Sequence, residues 1–337
     1  MKILAFESSC DETACGIVED GRTILADSVN SQISLHRRYG GVVPEIASRA
    51  HTEAICGVLD EALKQSSLAL SDIDAIAVTN RPGLLGALLV GVNFGKALAY
   101  AHHLPLIPVN HIEGHVAAGY LTCPHLAPPY LALVMSGGHT SLIEVCDYTT
   151  FRLIGATRDD AAGEAFDKAG RVIGIGYPGG KEMDRLAALG NPDAYAFPPC
   201  AIRDHDFDFT FSGLKTAVIN FAHHKEQLGE SIVPEDLAAS FTKAVVSGIL
   251  SRLENAFAKT GEKTLVLAGG VAANAHIRQA VDNLCKKCGV ELILPPLSLC
   301  GDNGAMIAAQ AYYNFRAGIT ADLSLNASAT SAFSFKN

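Results

Sequence analysis

The feature that most constrains this chain is a pattern that occurs twice. Near the start, a strand-like run at Lys2–Glu7 meets a polar turn, Ser8-Ser-Cys-Asp-Glu-Thr13. A second strand-like run follows at Ala14–Val18 and a third near Thr23–Ser28. The segment Cys123-Pro-His-Leu-Ala-Pro-Pro129 then reads as a linker, because its prolines interrupt any regular element. Beyond it the plan returns: Tyr130–Met135, a tight polar turn Ser136-Gly-Gly-His-Thr140, and Ser141–Val145. The copies share a pattern and no residue-level repeat. Between them the period predicts a helix over Ile46–Lys64, a strand at Asp74–Val78, a helix over Gly86–His102, a strand at Leu106–Val109 and a helix over His111–Leu121. Runs of strands followed by alternating strand and helix predict mixed sheets with helices on their outer faces, an α/β architecture.

At ~150 residues per domain, 337 residues suggest two domains. The expected division is a first lobe over 1–122 carrying a candidate metal-binding helix, a linker at 123–129, and a second lobe over 130–337 carrying substrate-binding turns. The final helices are free to pack back on the first lobe. Two such lobes would enclose a cleft, the two-lobe architecture of the actin-like (ASKHA) ATPases and sugar kinases, in which paired hairpin turns grip the nucleotide phosphates.

Composition removes several classes. With 49% hydrophobic and 18% charged residues the chain is far from disorder. A net charge of −9 argues against non-specific coating of nucleic acid. The most apolar stretch, Gly83 to Ala101, is broken by Asn93 and Lys96. Its Gly86, Gly91 and Gly95 lie on or near one helix face, so a buried helix packed closely on a sheet is expected, not a membrane span. The N-terminus has no long apolar region of the signal-peptide kind. Nine irregularly spaced cysteines, with Cys285 and Cys288 the only close pair, point to a reduced, cytoplasmic protein.

Three constellations bear chemistry. In Thr264-Leu-Val-Leu-Ala-Gly-Gly-Val-Ala-Ala-Asn274, glycines at a strand-to-helix turn would let a ligand approach backbone N–H groups, although glycine is common in ordinary turns of this kind. The paired polar turns form the second. Ser136-Gly137-Gly138 would present consecutive N–H groups to an anion. Asp11 and Glu12 would hold a cation or orient a nucleophile, unless they are simply solvated. The third is His111-Ile-Glu-Gly-His115. Histidines at i and i+4 project from one helix face and can share a metal, with Asp302 of Cys300-Gly-Asp-Asn-Gly304 the candidate carboxylate. Two imidazoles and one carboxylate with open positions suit Fe(II) or Zn(II). Weaker signals are Gly163-Glu-Ala-Phe-Asp167, read as a helix start with simple capping, and Tyr177-Pro-Gly-Gly180 followed by Asp184. The aromatic run Phe207–Thr216 is read mainly as a docked hydrophobic segment, with stacking or a basic contact through Lys215 the other reading.

Together these residues resemble the bacterial tRNA N6-adenosine threonylcarbamoyltransferases, the TsaD family. The resembling segments are Glu7-Ser-Ser-Cys-Asp-Glu-Thr13, Gly40-Gly-Val-Val-Pro-Glu45, His111-Ile-Glu-Gly-His115, Ser136-Gly-Gly-His-Thr140 and Asp160-Ala-Ala-Gly-Glu-Ala-Phe-Asp167. Tyr177-Pro-Gly-Gly180, Phe211-Ser-Gly-Leu-Lys-Thr216, Ala268-Gly-Gly-Val271 and Asp302-Asn-Gly-Ala-Met306 follow in the family's order. One stretch departs: Asn80-Arg81-Pro82-Gly83 stands where Gly-Pro-Gly is usual.

The resemblance implies an actin-like transferase that moves threonylcarbamoyl from threonylcarbamoyl-AMP to N6 of the adenosine beside the anticodon, in tRNAs reading codons that begin with adenine. It implies one metal per chain on His111, His115 and Asp302, Fe(II) with Zn(II) possible in vitro. It places Val134, Met135, Ser136, Gly137, Gly138, Asp167, Gly180, Asp184 and Asn274 against the adenylate. The implied partners are a non-catalytic paralogue that dimerises through the first lobe and a small P-loop ATPase. Asp11 or Glu12 is the candidate acceptor of the amine proton. Arg37, Arg38, Lys181, Arg185, Arg203 and Lys215 are the candidate contacts to tRNA phosphate. The rival readings are an actin-like kinase or ATPase, which has no use for paired histidines, a metallopeptidase, whose base spacing is absent, and an inactive scaffold.

Overall fold

A computed structural model describes residues 1–200, 202 and 205–330. The first sheet is built from β1 (Lys2–Glu7), β2 (Glu12–Glu19) and β3 (Thr23–Ser31), then β4 (Ala75–Arg81) and β5 (Leu106–Asn110). Helices α1 (Ile33–His36) and α2 (Pro44–Ser66) precede β4, α3 (Leu85–Ala101) joins β4 to β5, and α4 (His111–Thr122) follows β5. The strand order is β3-β2-β1-β4-β5: β1 pairs antiparallel with β2 and parallel with β4.

Alternation along β1 explains the layering. Leu4 and Phe6 enter one core with Ile17, Val58 and Val92, while Ile3 and Ala5 enter another with Ile107, Met306 and Ile307. Both faces are covered, so the strand reads as a nearly continuous apolar run. The glycines of the apolar helix do what its pattern predicts. A Cβ at Gly91 would lie 2.4 Å from Ser8 Oγ, and one at Gly95 would lie 2.2 Å from Val78 Cγ1. Among the described residues no helix is long and apolar enough to cross a membrane.

The second sheet comprises β6 (Tyr130–Met135), β7 (Thr140–Asp147), β8 (Thr150–Ala156), β9 (Thr264–Ala268) and β10 (Glu291–Ile293) in the order β10-β9-β6-β7-β8. This is the same order as in the first sheet when each strand is matched to its counterpart, so the duplicated pattern in the sequence is a duplicated topology. Helices α5 (Ala162–Val172), α6 (Gly180–Ala187), α7 (Ser212–Gln227), α8 (Pro234–Thr260) and α9 (Ala275–Cys288) accompany it, and α10 (Gly304–Arg316) closes the described helices. One compact unit comprises Met1–Pro129, Val145–Arg152 and the chain from Pro295 on; the other comprises Tyr130–Glu144 and Leu153–Leu294.

The aromatic run at 207–216 docks as a hydrophobic segment: Phe209 and Phe211 are fully buried in the second unit's core. Two local readings change. The turn expected over Ser8–Thr13 is shorter, since Glu12 and Thr13 already pair with Ser31 and Asn30 of β3. The start of α5 is not held by simple capping. Thr140 Oγ1 accepts the Ala162 N–H at 3.0 Å and the Ser136 carbonyl accepts the Gly163 N–H at 3.2 Å. A Cβ at Gly163 would fall 2.8 Å from Gly137 Cα, so that glycine lets α5 reach the turn.

Candidate functional site

In the first unit, α4 begins directly after β5, with Asn110 Oδ1 accepting the Ile112 N–H at 2.9 Å. This cap fixes the first turn and aims His111 and His115 along one helix face. Between them Gly114 has a packing role: a Cβ there would lie 2.6 Å from Ile307 Cδ1. The absence of a side chain lets α10 approach α4, and Asp302 stands just before α10.

The start of α10 is fixed in turn. Asn303 Oδ1 accepts the Met306 N–H at 2.8 Å, and Asp27 Oδ1 accepts from Gly304 and Ala305 at 3.0 and 3.1 Å. Gly304 lies backbone to backbone on Gly16, where a Cβ would approach within 2.1 Å. These contacts bring together residues from opposite ends of the chain. His111 Nε2 is 3.6 Å and His115 Nε2 3.2 Å from Asp302 Oδ1. One ligand atom from each of the three lies within 4.8 Å of the others.

A shell around His111 was not visible in the sequence pattern. Glu7, fully buried at the end of β1, lies with Oε2 3.0 Å from His111 Nδ1. The same carboxylate accepts the Ser9 N–H on Oε1 and the Thr79 hydroxyl on Oε2, both at 2.6 Å. A signal did exist: a carboxylate ends an otherwise apolar buried strand, where an unpaired charge is too costly to keep. Burial opposes ionisation of Glu7, but His111 beside it outweighs that and holds the carboxyl below its usual range. Burial also opposes charge on His111, yet Asp302 and Glu7 lift it to about 9.

His115 contrasts with this. It is fully buried, and neither of its ring nitrogens has a hydrogen-bond partner. Glu12 lies with Oε1 3.1 Å from Ser31 Oγ, and burial together with the Asp302 and Asp11 charges pushes its carboxyl to about 10. With that value Glu12 holds a proton at neutral pH; a cation among these carboxylates would reverse the shift. The donor set fits a metal: two imidazoles and a carboxylate, one imidazole with no other use for its nitrogens.

In the second unit the candidate adenylate residues gather at the carboxyl ends of β6 and β9, where open α/β sheets bind ligands. Val134 pairs with Ala268, and Val134 and Met135 are buried. A Cβ at Gly269 would lie 2.3 Å from the Met135 carbonyl oxygen, and φ there is +90°, so this glycine serves close packing. Gly270 has open space around it. The expected run of N–H groups is one shorter than predicted, because the Ser136 N–H is engaged by the His139 carbonyl at 2.8 Å. Gly137 and Gly138 are exposed with nothing near their Cβ positions.

The polar side chains here hold backbone. Asp167 Oδ1 accepts the Gly179 N–H at 2.6 Å, which fixes the turn into Gly180 and α6. Asp184 accepts the Ala275 N–H at 3.0 Å and sits 2.7 Å from His276 Nδ1. Asn274 Oδ1 accepts the Ile277 N–H at 3.0 Å. Asp184 and Asn274 are thereby joined at the start of α9. Of the basic candidates, Arg37, Arg38 and Lys181 are exposed. Arg185 pairs with Glu182 at 2.6 Å and Lys215 with Asp160 at 2.5 Å. Arg203 lies outside the described residues.

The model of the family "TsaD: tRNA N6-adenosine threonylcarbamoyltransferase" matches residues 23–309. The chain belongs to this family. It is 52% identical over 325 residues to the tRNA N6-adenosine threonylcarbamoyltransferase of Moorella thermoacetica, covering 96% of this chain and 95% of that one. It is 50% identical over 337 residues to the enzyme of the same name from Latilactobacillus sakei, covering 99% and 97%. Among solved structures, full-length HypF in its phosphate- and nucleotide-bound form superposes with a TM-score of 0.60 at 15% identity, over 98% of this chain and 47% of that one. That likeness shows the fold alone, the expected actin-like α/β class with mixed sheets. As a family member the protein is a transferase that forms N6-threonylcarbamoyladenosine in tRNA, and the kinase or ATPase reading is not favoured.

Proposed function

We propose that this transferase binds one divalent metal per chain through His111, His115 and Asp302, Fe(II) in the cell with Zn(II) accepted in vitro. We further propose that its acyl donor is threonylcarbamoyl-AMP. The observation that carries the metal reading is His115, whose two ring nitrogens are buried without a hydrogen-bond partner beside a carboxylate. A buried polar group left without its hydrogen bond costs on the order of 1–3 kcal/mol, a cost that ligation offsets. A bound ion supplies Lewis acidity, polarising an acyl oxygen.

The rest of the reaction falls to the chain's own groups. The donor is a mixed anhydride with a good leaving group, so catalysis is largely positioning of the adenine amine against the carbamoyl carbon. The exposed Gly137 and Gly138 backbone is suited to a phosphate. Asp167, Asp184 and Asn274 hold the surrounding turns in shape. Glu12 feels the Asp302 charge, and Asp11 stands beside Glu12; either carboxylate is a candidate to accept the proton lost by the amine. The HypF structure is phosphate- and nucleotide-bound, which supports a nucleotide on this fold.

With a net charge of −9, the chain depends on partners for much of its attraction to tRNA phosphate. Arg37, Arg38 and Lys181 are the first local candidates. A non-catalytic paralogue docking on the first lobe and a small P-loop ATPase complete the cytoplasmic assembly. The test combines chain, partners, tRNA, threonine, bicarbonate and ATP with an adenylate-forming enzyme, and measures tRNA nucleosides by mass. Modification should require the chain and fall when metal is removed. Full modification by metal-stripped chain would refute the metal assignment.

A further inference from the structure

We infer that Glu7 is the positioning residue for the proposed metal centre, acting through the tautomer and ring orientation of His111. The inference rests on the metal reading above. Glu7 is fully buried, and three donors converge on its carboxylate: the Ser9 N–H, the Thr79 hydroxyl and His111 Nδ1. Two of these donors belong to the strand and turn framework, with no part in any ligand set. They fix the carboxylate plane before His111 is considered, so the oxygen offered to Nδ1 has a set position.

A carboxylate can only accept, so the proton of this pair sits on His111 Nδ1. The Ser9 hydroxyl, 3.1 Å from the same nitrogen, is a second acceptor for it. With Nδ1–H held by Glu7, Nε2 is the nitrogen left on the Asp302 side, 3.6 Å from Oδ1, and a metal there would take its lone pair in place of the proton. This is the arrangement in which an outer carboxylate orients a ligating imidazole and raises its basicity. The two histidines are thus unequal: His111 is aimed by Glu7, whereas among the described residues no comparable second carboxylate is found at Nδ1 of His115.

The test uses the full-length chain loaded with Co(II), whose visible absorption reports ligand geometry. Glu7→Gln keeps the size and removes the charge, and should weaken Co(II) binding about 10- to 100-fold and alter the absorption bands. Thr79→Val leaves Glu7 in place and removes one of its orienting donors; it should give a smaller weakening with the same kind of spectral change. A role in packing alone would lower the melting temperature of either variant and leave affinity and spectrum as in the parent. That result in folded Glu7→Gln would overturn the inference. If Glu7→Gln does not fold, the same result in Thr79→Val would overturn it. His111→Ala separates the two levels. If it leaves Co(II) binding intact, the metal reading fails and takes this inference with it. If it abolishes binding while the Glu7 and Thr79 variants retain parental behaviour, only the role of Glu7 is lost.

Discussion

The two candidate sites differ in what their polar side chains have left to do. In the first unit His115 is buried beside Asp302, with neither ring nitrogen in a hydrogen bond. In the second unit Asp167, Asp184 and Asn274 each accept backbone N–H groups at the start of a helix or turn. The first arrangement leaves buried ring nitrogens without a hydrogen bond. The second is a finished scaffold whose open element is the exposed glycine backbone of Gly137, Gly138 and Gly270. Metal chemistry needs side-chain donors, whereas a nucleotide phosphate is well served by N–H groups.

The sharpest way to break this contrast is to remove a ligand. His111→Ala and His115→Ala should each reduce metal content to background and activity by on the order of 100-fold. The fold should survive, because both substitutions leave the apolar clusters of the first unit intact. Elemental analysis showing undiminished metal in both variants would place the two regions on the same footing.

The next effect tests how the first unit assembles its triad. Gly304→Ala puts a Cβ within 2.1 Å of Gly16 backbone, where no flexible side chain can yield. The expected loss is on the order of 3 kcal/mol, with metal affinity falling too as Asp302 shifts. Thermal denaturation together with metal titration reads both quantities; a parental melting temperature would contradict the packing argument.

Asp27 gives a pH-dependent version of the same question. Burial, opposed by the N–H groups of Ala305 and Gly304, raises its carboxyl from 3.8 to about 6. The folded chain therefore binds this proton more tightly than the unfolded chain does. Its contribution to stability is fully present below pH 4, is lost as pH rises to about 6, and is constant above that. Asp27→Asn keeps an oxygen for the α10 N–H groups and removes the titration. Relative to the parent, the variant should gain on the order of 2 kcal/mol between pH 4 and pH 7. Denaturant midpoints at the two pH values measure this difference, and parallel curves for the two proteins would show that Asp27 is not desolvated.

Two smaller effects sharpen the reading of the second unit. A Cβ at Gly137 has nothing within 4 Å, so Gly137→Val should leave the melting temperature nearly unchanged while obstructing a phosphate at the turn. Nucleotide affinity should fall about tenfold, or ~1.4 kcal/mol, with metal binding untouched; unchanged affinity in calorimetry would move the phosphate elsewhere. Asp184→Ala removes acceptors at the start of α9 and should cost ~1 kcal/mol of stability. If instead stability holds and nucleotide affinity collapses, Asp184 is a ligand contact and not scaffold.

Much of this was legible from the chain because local chemistry sets it. Strand alternation, the glycine face of α3 and the i, i+4 histidines follow from the geometry of a single element, and a duplicated pattern became a duplicated strand order. Element ends were less legible: Glu12 and Thr13 read as turn residues, yet β3 pairs with them, and pairing is a property of the partner strand. Glu7 was missed as a functional residue for the same reason. The local signal, a carboxylate ending an apolar strand, marks Glu7 as a group that needs a partner, but nothing local names His111 as that partner.

By itself, then, the sequence determined the α/β class, the periodicities of its elements, the candidate ligand types and, through nine motifs in order, the family. Only the tertiary structure decided which polar groups are already satisfied. It set Glu7 against His111, left both ring nitrogens of His115 without a hydrogen bond, and joined Asp184 to the start of α9. The physical reason is that a hydrogen bond or a desolvated charge depends on what lies across a few ångströms of space. Sequence separation does not encode that distance, and only packing such as Gly114 against Ile307 and Gly16 against Gly304 fixes it.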